Sequence, residues 1–244
     1  MYTNAIENYL KQHSYHHIHL KAVLFDMDGV LFNSMPNHAR AWNEAMEHYG
    51  MHLSCEEAYL HEGRTGASTI NIVSQRERGH DATPEEIERI YHTKTEIFNS
   101  YPKAERMPGA WEAIHQMKAD GLTIMVVTGS GQASLLERLN RNFPDTFRQE
   151  LMVTAYDVKH GKPSPEPYLM ALEKAGLHPN EAIVVENAPM GVHAGVAAGI
   201  FTVAVNTGPL PDQVLLDEGA NLLLPSMLAL SEQWEELYKE LGEE

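Results

Sequence analysis

Short apolar runs alternate with helix-period segments along most of this 244-residue chain, and that alternation restricts the fold more than any single motif. The runs at 22–25, 122–127, 151–153, 182–185, 201–205 and 221–224 are too short for buried helices and are apolar on both faces. Strands of this kind belong in a parallel sheet covered by helices on both sides. Pro108 opens a helix over 110–119 that Gly121 stops. Ser164-Pro165 opens another over 166–174 ahead of Gly176, and Ser226 begins a C-terminal helix whose Glu232, Glu235, Glu236 and Glu240 read as a solvated face. The expected fold class is α/β with a parallel sheet core.

One interval breaks the alternation. Residues 36–100 carry only helix signals: 36–49, 54–61, 67–78, and a last helix opened by the capping box Thr83-Pro84-Glu85-Glu86 and running to about 99. An insertion of this size after the first strand reads as a second small domain, with hinges near 33–36 and 100–108. Ligands of open α/β sheets bind beyond the carboxyl ends of the strands. An insertion leaving from that end is therefore expected to lie over the site as a lid. Residues 1–20 read as a solvated extension. Their His13, His16, His17 and His19 admit a competing reading as a metal-binding tract.

Charge narrows the ligands. There are 34 Asp and Glu against 18 Lys and Arg, a formal net charge of −16. No basic field is available to displace counterions from nucleic acid or an anionic membrane surface, so neither is an expected partner. The lone Cys55 rules out an internal disulfide and suits a reducing, cytoplasmic setting. No apolar run is long enough to span a bilayer.

The candidate chemistry sits at strand ends. The first strand runs into Asp26-Met27-Asp28-Gly29, where period-2 geometry turns both carboxylates to one side and Gly29 permits a sharp reversal. Two close carboxylates call for a shared proton or a hard cation such as Mg²⁺. One could serve as nucleophile and the other as general acid and base; an ordinary Asp-Gly turn competes. Thr128-Gly129-Ser130-Gly131 ends the second strand as a hydroxyl and glycine-rich anion cradle, or as a simple helix cap. Lys162 is held between Gly161 and Pro163, where it could neutralise a phosphate oxygen and the nucleophile together; an ordinary solvated loop lysine competes. Glu186-Asn187 offers oxygen ligands at the end of a later strand.

Taken in order, Asp26-x-Asp28-Gly-Val, Thr128, Lys162 and Glu186-Asn187 resemble the four motifs of the haloacid dehalogenase-like (HAD) superfamily. Segments 29–36 and 161–168 look like its β-phosphoglucomutase-like subfamily. The resemblance implies a Rossmann-like core over 21–35 and 101–244, a small α-helical cap over 36–100, and Mg²⁺ as cofactor. It implies Asp26 as the nucleophile that becomes an aspartyl phosphate. Asp28 becomes general acid and base, with its backbone carbonyl on the metal. Thr128, Gly129, Ser130 and Lys162 become the phosphate contacts, and Asp26, Asp28, Glu186 and Asn187 the metal site. The family more often has Asp where Asn187 stands, and the subfamily often has Asp where Asn33 stands; Asn33 receives no role. His38 and Lys94 match positions that link hinge, cap and general acid.

The segment His61-Glu62-Gly63-Arg64-Thr65-Gly66 lies between two cap helices. Arg64 suits a distal phosphate. Glu62 is unfavourable beside phosphate unless a metal lies there, which points to a compact, highly charged substrate. The stretch 62–73 together with Glu186-Asn187-Ala188-Pro189 resembles subfamily members that act as inorganic pyrophosphatases. The expected function is a Mg²⁺-dependent phosphohydrolase, with pyrophosphate as the first substrate. The alternatives are a β-phosphoglucomutase or small sugar-phosphate phosphatase, and a non-enzymatic binding protein on a degenerate HAD fold. The expected partner is a small phosphorylated molecule; a monomer is compatible with the sequence, which leaves the oligomeric state open.

Overall fold

The structure is a computed structural model that describes residues 2–130 and 135–242. Its elements, in order, are α1 (Thr3–His13), β1 (Ala22–Phe25), α2 (Met35–His48), α3 (Cys55–Leu60), α4 (Gly66–Arg78), α5 (Pro84–Ser100), α6 (Ala110–Ala119) and β2 (Thr123–Val126). Then follow α7 (Leu135–Asn142), α8 (Glu166–Ala175), β3 (Ala182–Glu186), α9 (Pro189–Ala197), β4 (Phe201–Val205), α10 (Asp212–Asp217), β5 (Leu222–Leu224) and α11 (Met227–Leu241). Among the described residues no helix is long and apolar enough to cross a membrane.

All five strands are parallel, in the order β2-β1-β3-β4-β5. β1, β3 and β4 are buried at every residue, as strands covered on both faces must be. Side-chain alternation divides them between two cores. Val23, Phe25, Ile124, Val126, Ile183 and Val185 pack with α6 and with Leu230, Trp234 and Leu237 of α11. Ala22, Leu24, Met125, Val127 and Val184 face Tyr168, Ala171 and Leu172 of α8. The chain leaves β1 for β2 on one side and later returns for β3 on the other. β1 is thus the topological switch point, where the crevice of such a sheet opens.

Residues 36–100 fold as helices α2 to α5 around a separate core of Met46, Leu53, Ala58, Ile70, Val73 and Ile90. The Thr83/Glu86 capping box forms with both reciprocal bonds. The two connections to the sheet run side by side: Asn33 N–H bonds Glu105 carbonyl at 3.0 Å, Met107 N–H bonds Leu31 carbonyl at 2.9 Å, and Phe32 bridges Arg106 antiparallel.

Two expectations need correction. The run 151–153 is not a strand. Residues Gln149–Leu151 form a 3-10 turn, and only Val153 pairs with the sheet, through one parallel bridge to Val127. The N-terminal segment is not solvated. Tyr2, Ile6 and Tyr9 of α1, with Ile18, are buried in the first core. The Tyr9 ring meets Phe201 edge-on at 5.4 Å and its hydroxyl donates to the Gly199 carbonyl at 2.9 Å. The N-terminus of α1 is tied to the C-terminal helix by Tyr2 N–H and the Thr3 hydroxyl, which donate to Glu240, so Glu240 is not simply part of a solvated face. Glu232, Glu235 and Glu236 are exposed as expected. The histidines of this tract form no metal cluster: among the described residues no three His, Cys, Asp or Glu side chains are so arranged.

Candidate active site

Asp26 follows β1 directly, with its N–H bonded to the Val185 carbonyl at 3.0 Å and its side chain buried. The chain then reverses at Gly29, whose φ is +83°. A Cβ there would lie 2.1 Å from Asn187 Nδ2, so only glycine lets the first and last motifs meet. The Thr207 hydroxyl pins this turn by donating to the Gly29 carbonyl at 2.7 Å.

Lys162 ties three elements together. Its Nζ donates to Asp26 Oδ1 at 2.5 Å, to Glu186 Oε1 at 2.7 Å and to the Val127 carbonyl at 3.0 Å. Burial works against its charge, but Asp26 and Glu186 outweigh burial and hold the ammonium well above its usual value. Burial, reinforced by Glu186 and Asp28, pushes the Asp26 carboxyl up against the pull of Lys162. Glu186 is spent on structure. Oε1 also accepts from Tyr168 at 2.9 Å, and Oε2 accepts the N–H groups of Asn187 and Ala188 at the start of α9. Gly191 packs against this carboxylate so closely that a Cβ would sit 1.7 Å from Oε1. The expectation that Glu186 is a metal ligand meets this arrangement: four donors already occupy its two oxygens.

Asp28 lies in a second network. Its Oδ1 accepts from the Ser34 hydroxyl at 2.5 Å and faces His38 Nε2 at 3.4 Å. Burial alone would raise this carboxyl, but His38, Ser34 and Arg138 together pull it well below the usual carboxylate range. His38 Nδ1 lies 2.8 Å from Lys94 Nζ, so the ring is an acceptor there and keeps its proton on Nε2 for Asp28. Lys94, on α5, is buried among Trp42, Tyr91 and Phe98, with ring centroids 5.3, 5.9 and 5.1 Å from Nζ. His38 stacks on Phe98 at 4.1 Å.

Burial pushes the Lys94 ammonium down to about 8 from 10.5. In that window the unfolded chain binds more protons than the folded one, so this group's contribution to stability rises with pH between the two values. Urea titrations of wild type and Lys94→Met should diverge accordingly, the wild type gaining on the variant from pH 8 towards 10.5. Parallel curves would contradict the burial of a charged amine here.

Thr128 is buried at the end of β2, its N–H on the Val153 carbonyl at 2.9 Å, and its Oγ1 accepts the Ser130 N–H at 3.0 Å. Gly131, the last residue of the expected cradle, lies outside the described residues. Glu62 reaches down from the α3–α4 loop, where both its oxygens accept from Asn187 Nδ2 at 3.2 and 3.1 Å. Burial, together with Asp26 and Glu186, drives this carboxyl well above its usual value. Asn187 Oδ1 is buried with no hydrogen-bond partner among the described residues.

A cavity of about 120 Å³ joins these parts. Asp26, Asp28, Thr128, Gly129 and Ser130 line its floor, and His38, Glu62, Arg64 and Lys94 its upper wall. Lys162 sits beneath, in contact with Asp26. Three participants escaped sequence reasoning. Ser34 stands where a helix cap is expected before Pro36, yet its hydroxyl caps nothing and serves Asp28 instead. Tyr168 looks like an ordinary apolar position of α8. Arg138 lies 3.9 Å over the Phe32 ring, and nothing in its local sequence marks it.

The comparisons with known proteins agree with this geometry. The family model described as "Haloacid dehalogenase-like hydrolase" matches residues 23–205. Hexitol phosphatase A of Escherichia coli (strain K12) is 32% identical over 188 residues, 76% of this chain and 83% of the relative. The phosphorylated carbohydrates phosphatase of Thermotoga maritima is 30% identical over 206 residues, 84% and 94% of the two chains. A solved structure described as "Putative beta-phosphoglucomutase from Bacteroides vulgatus" superposes with a TM-score of 0.97 at 67% identity, covering 99% of this chain and 98% of that one. The sheet, its switch point and these matches lead to one conclusion: the chain belongs to the haloacid dehalogenase-like hydrolases, among their phosphatases and phosphomutases.

Proposed function

We propose that the chain is a Mg²⁺-dependent phosphatase that reacts through an aspartyl phosphate on Asp26. The observation that carries this reading is the Asp26–Lys162 contact of 2.5 Å at the floor of the cavity, with the Asp28 network beside it. An Asp26 oxygen attacks phosphorus and the bond to the leaving oxygen breaks. Asp28, ionised before substrate binds, takes up a proton from solvent with the substrate and passes it to that oxygen, and in the second half it takes one from the water that releases phosphate. His38 and Ser34 hold Asp28 in the ionised form that the second half needs. The Thr128 hydroxyl, held by the Ser130 N–H on its oxygen, and the Gly129 backbone N–H suit the phosphoryl oxygens. In this reading residues 36–100 act as a cap over a core of 21–35 and 101–244.

The donor set fits a hard cation. The Asn187 Oδ1, without a partner among the described residues, lies beside a group of carboxylates whose nearest bound ammonium, Lys162, sits below. Oxygen donors are what Mg²⁺ prefers. Asp26, the Asp28 backbone carbonyl and Asn187 are the residues to hold it, with Glu62 joining from the cap. When bound, the ion would screen the repulsion between carboxylate and phosphate.

Sugar phosphates are the substrate class that the names of the relatives favour, and Trp42 and Tyr91 give the cavity an aromatic wall on which a sugar ring can pack. This places the alternative of the sequence analysis ahead of pyrophosphate, which none of these relatives is named for. One observation favours pyrophosphate as a second reading. Glu62 enters the cavity and is held against Asn187, where a carboxylate beside phosphate calls for a metal and a highly charged substrate.

A phosphate-release screen with and without Mg²⁺, over hexose phosphates and pyrophosphate, tests the proposal. Release that requires the metal is expected, and none on any substrate would overturn it. Glu62→Ala divides the two substrate readings. A loss on the order of tenfold greater on pyrophosphate than on a hexose phosphate supports the second, and equal losses remove Glu62 from the argument.

A further inference from the structure

A second cavity, of about 70 Å³, adjoins the first. The two share Gly63, Thr128 and Gly129, and Lys162 forms part of the second wall. Its inner end is buried at Thr128 and Lys162, and its outer end is exposed at Thr65, Ala155 and Lys159. It therefore runs from the phosphoryl contacts to solvent. What divides it from the first cavity is backbone: a Cβ added to Gly129 would lie 3.8 Å from the Gly63 carbonyl oxygen. With no side chain on either glycine, a small shift of the Gly63 loop joins the two.

The cap is seated on the core at several points. Glu62 meets Asn187, a Cβ at Gly161 would lie 3.3 Å from Thr65 Cγ2, and one at Gly208 would lie 3.0 Å from Tyr59 Cδ1. Phosphate released from Asp26 would have to break these contacts again to leave past the cap. The second cavity spares it that. At the ~10–15 Å³ that one water requires, the cavity has room for about five, and phosphate has as many heavy atoms. At the outer end the Lys159 ammonium has no carboxylate partner among the described residues, and a free positive charge there draws an anion outward. Val158 and Pro167 line the way with apolar surface that does not hold an anion, as a passage requires. Entry of the attacking water is a different need. That water must reach phosphorus opposite Asp26, whereas this cavity meets the Thr128 and Gly129 side.

We propose that the second cavity is the exit for inorganic phosphate, through which the product leaves while the cap stays seated, and that Lys159 draws it out. The proposal rests on the phosphatase reading and adds the route by which its product departs.

The test reads a single turnover of a hexose 6-phosphate, or of pyrophosphate if the hexose phosphate is not turned over, in two ways. Acid quench counts all the phosphate formed, and a fluorescent phosphate-binding protein counts only what has left the enzyme. In Val158→Trp, whose indole is large enough to fill the cavity, the interval between the two should lengthen at least about fivefold, with phosphate formation within about twofold of wild type. A substitution that merely disturbed the site would slow formation instead. Lys159→Glu, which sets a carboxylate against the departing anion, should lengthen the interval too, and Lys159→Arg, which keeps the charge, should not. An unchanged interval in Val158→Trp overturns the exit, and an unchanged interval in Lys159→Glu removes Lys159 from it. If Val158→Trp does not fold, Ala155→Trp at the outer end reads the same interval. If the quench finds no phosphate formed by wild type from either substrate, the phosphatase reading has failed and the exit falls with it. That outcome is distinct from phosphate that is formed and leaves without delay in the variants.

Discussion

Asp26→Asn is expected to lose phosphate release by a factor on the order of 10³ or more while keeping its fold. The amide keeps the shape of the side chain and can still accept from Lys162, and Glu186 remains as a charged partner 2.7 Å from Nζ. What it loses is the oxygen that forms the bond to phosphorus. Thermal unfolding close to wild type together with the lost turnover would place the defect in chemistry. Turnover near wild type would remove Asp26 from the reaction.

Lys162→Met should be the most destabilising single substitution at the site. Lys162, Asp26 and Glu186 are all nearly inaccessible to water, at 4%, 7% and 0% exposure. Removing the ammonium leaves two buried carboxylates facing each other. Breaking a buried ion pair in this way costs about 3–5 kcal/mol. For a chain of this size that is a drop of roughly 6–20 °C in Tm. Adding Glu186→Gln should restore part of the loss, because one buried charge goes while the amide oxygen still accepts the two N–H groups ahead of α9 and the amide NH2 can donate to the Tyr168 hydroxyl oxygen. A shift of only a degree or two in the single variant would mean that Lys162 is not the ion that holds these carboxylates together.

Much of the core was legible because its strands obey one simple rule. β1 and β4 fall where the apolar runs at 22–25 and 201–205 place them, and the capping box marks the start of α5 to the residue. The run 151–153 misled because an apolar triplet carries no sign of whether it has a sheet neighbour; only Val153 reaches one. The N-terminal helix was hidden by its polar and histidine-rich surroundings. Yet Tyr2, Ile6 and Tyr9 recur at helical spacing, and that signal was available. The strand-end carboxylates and Lys162 could be read because charged residues directly after buried strands are conspicuous. Ser34 and Tyr168 could not, since their roles depend on partners that only the folded chain brings near. The same holds for the Glu62–Asn187 contact, which joins residues 125 positions apart.

The mechanism turns on a covalent phosphoryl group on Asp26. The most direct measurement is mass spectrometry of the protein quenched in acid within one turnover, with the phosphoryl group located by fragmentation. The prediction is a phosphoryl mass increment on the peptide containing Asp26, present with Mg²⁺ and substrate and absent in Asp26→Asn. Turnover by wild type with no such increment, or with the increment on another residue, would contradict it.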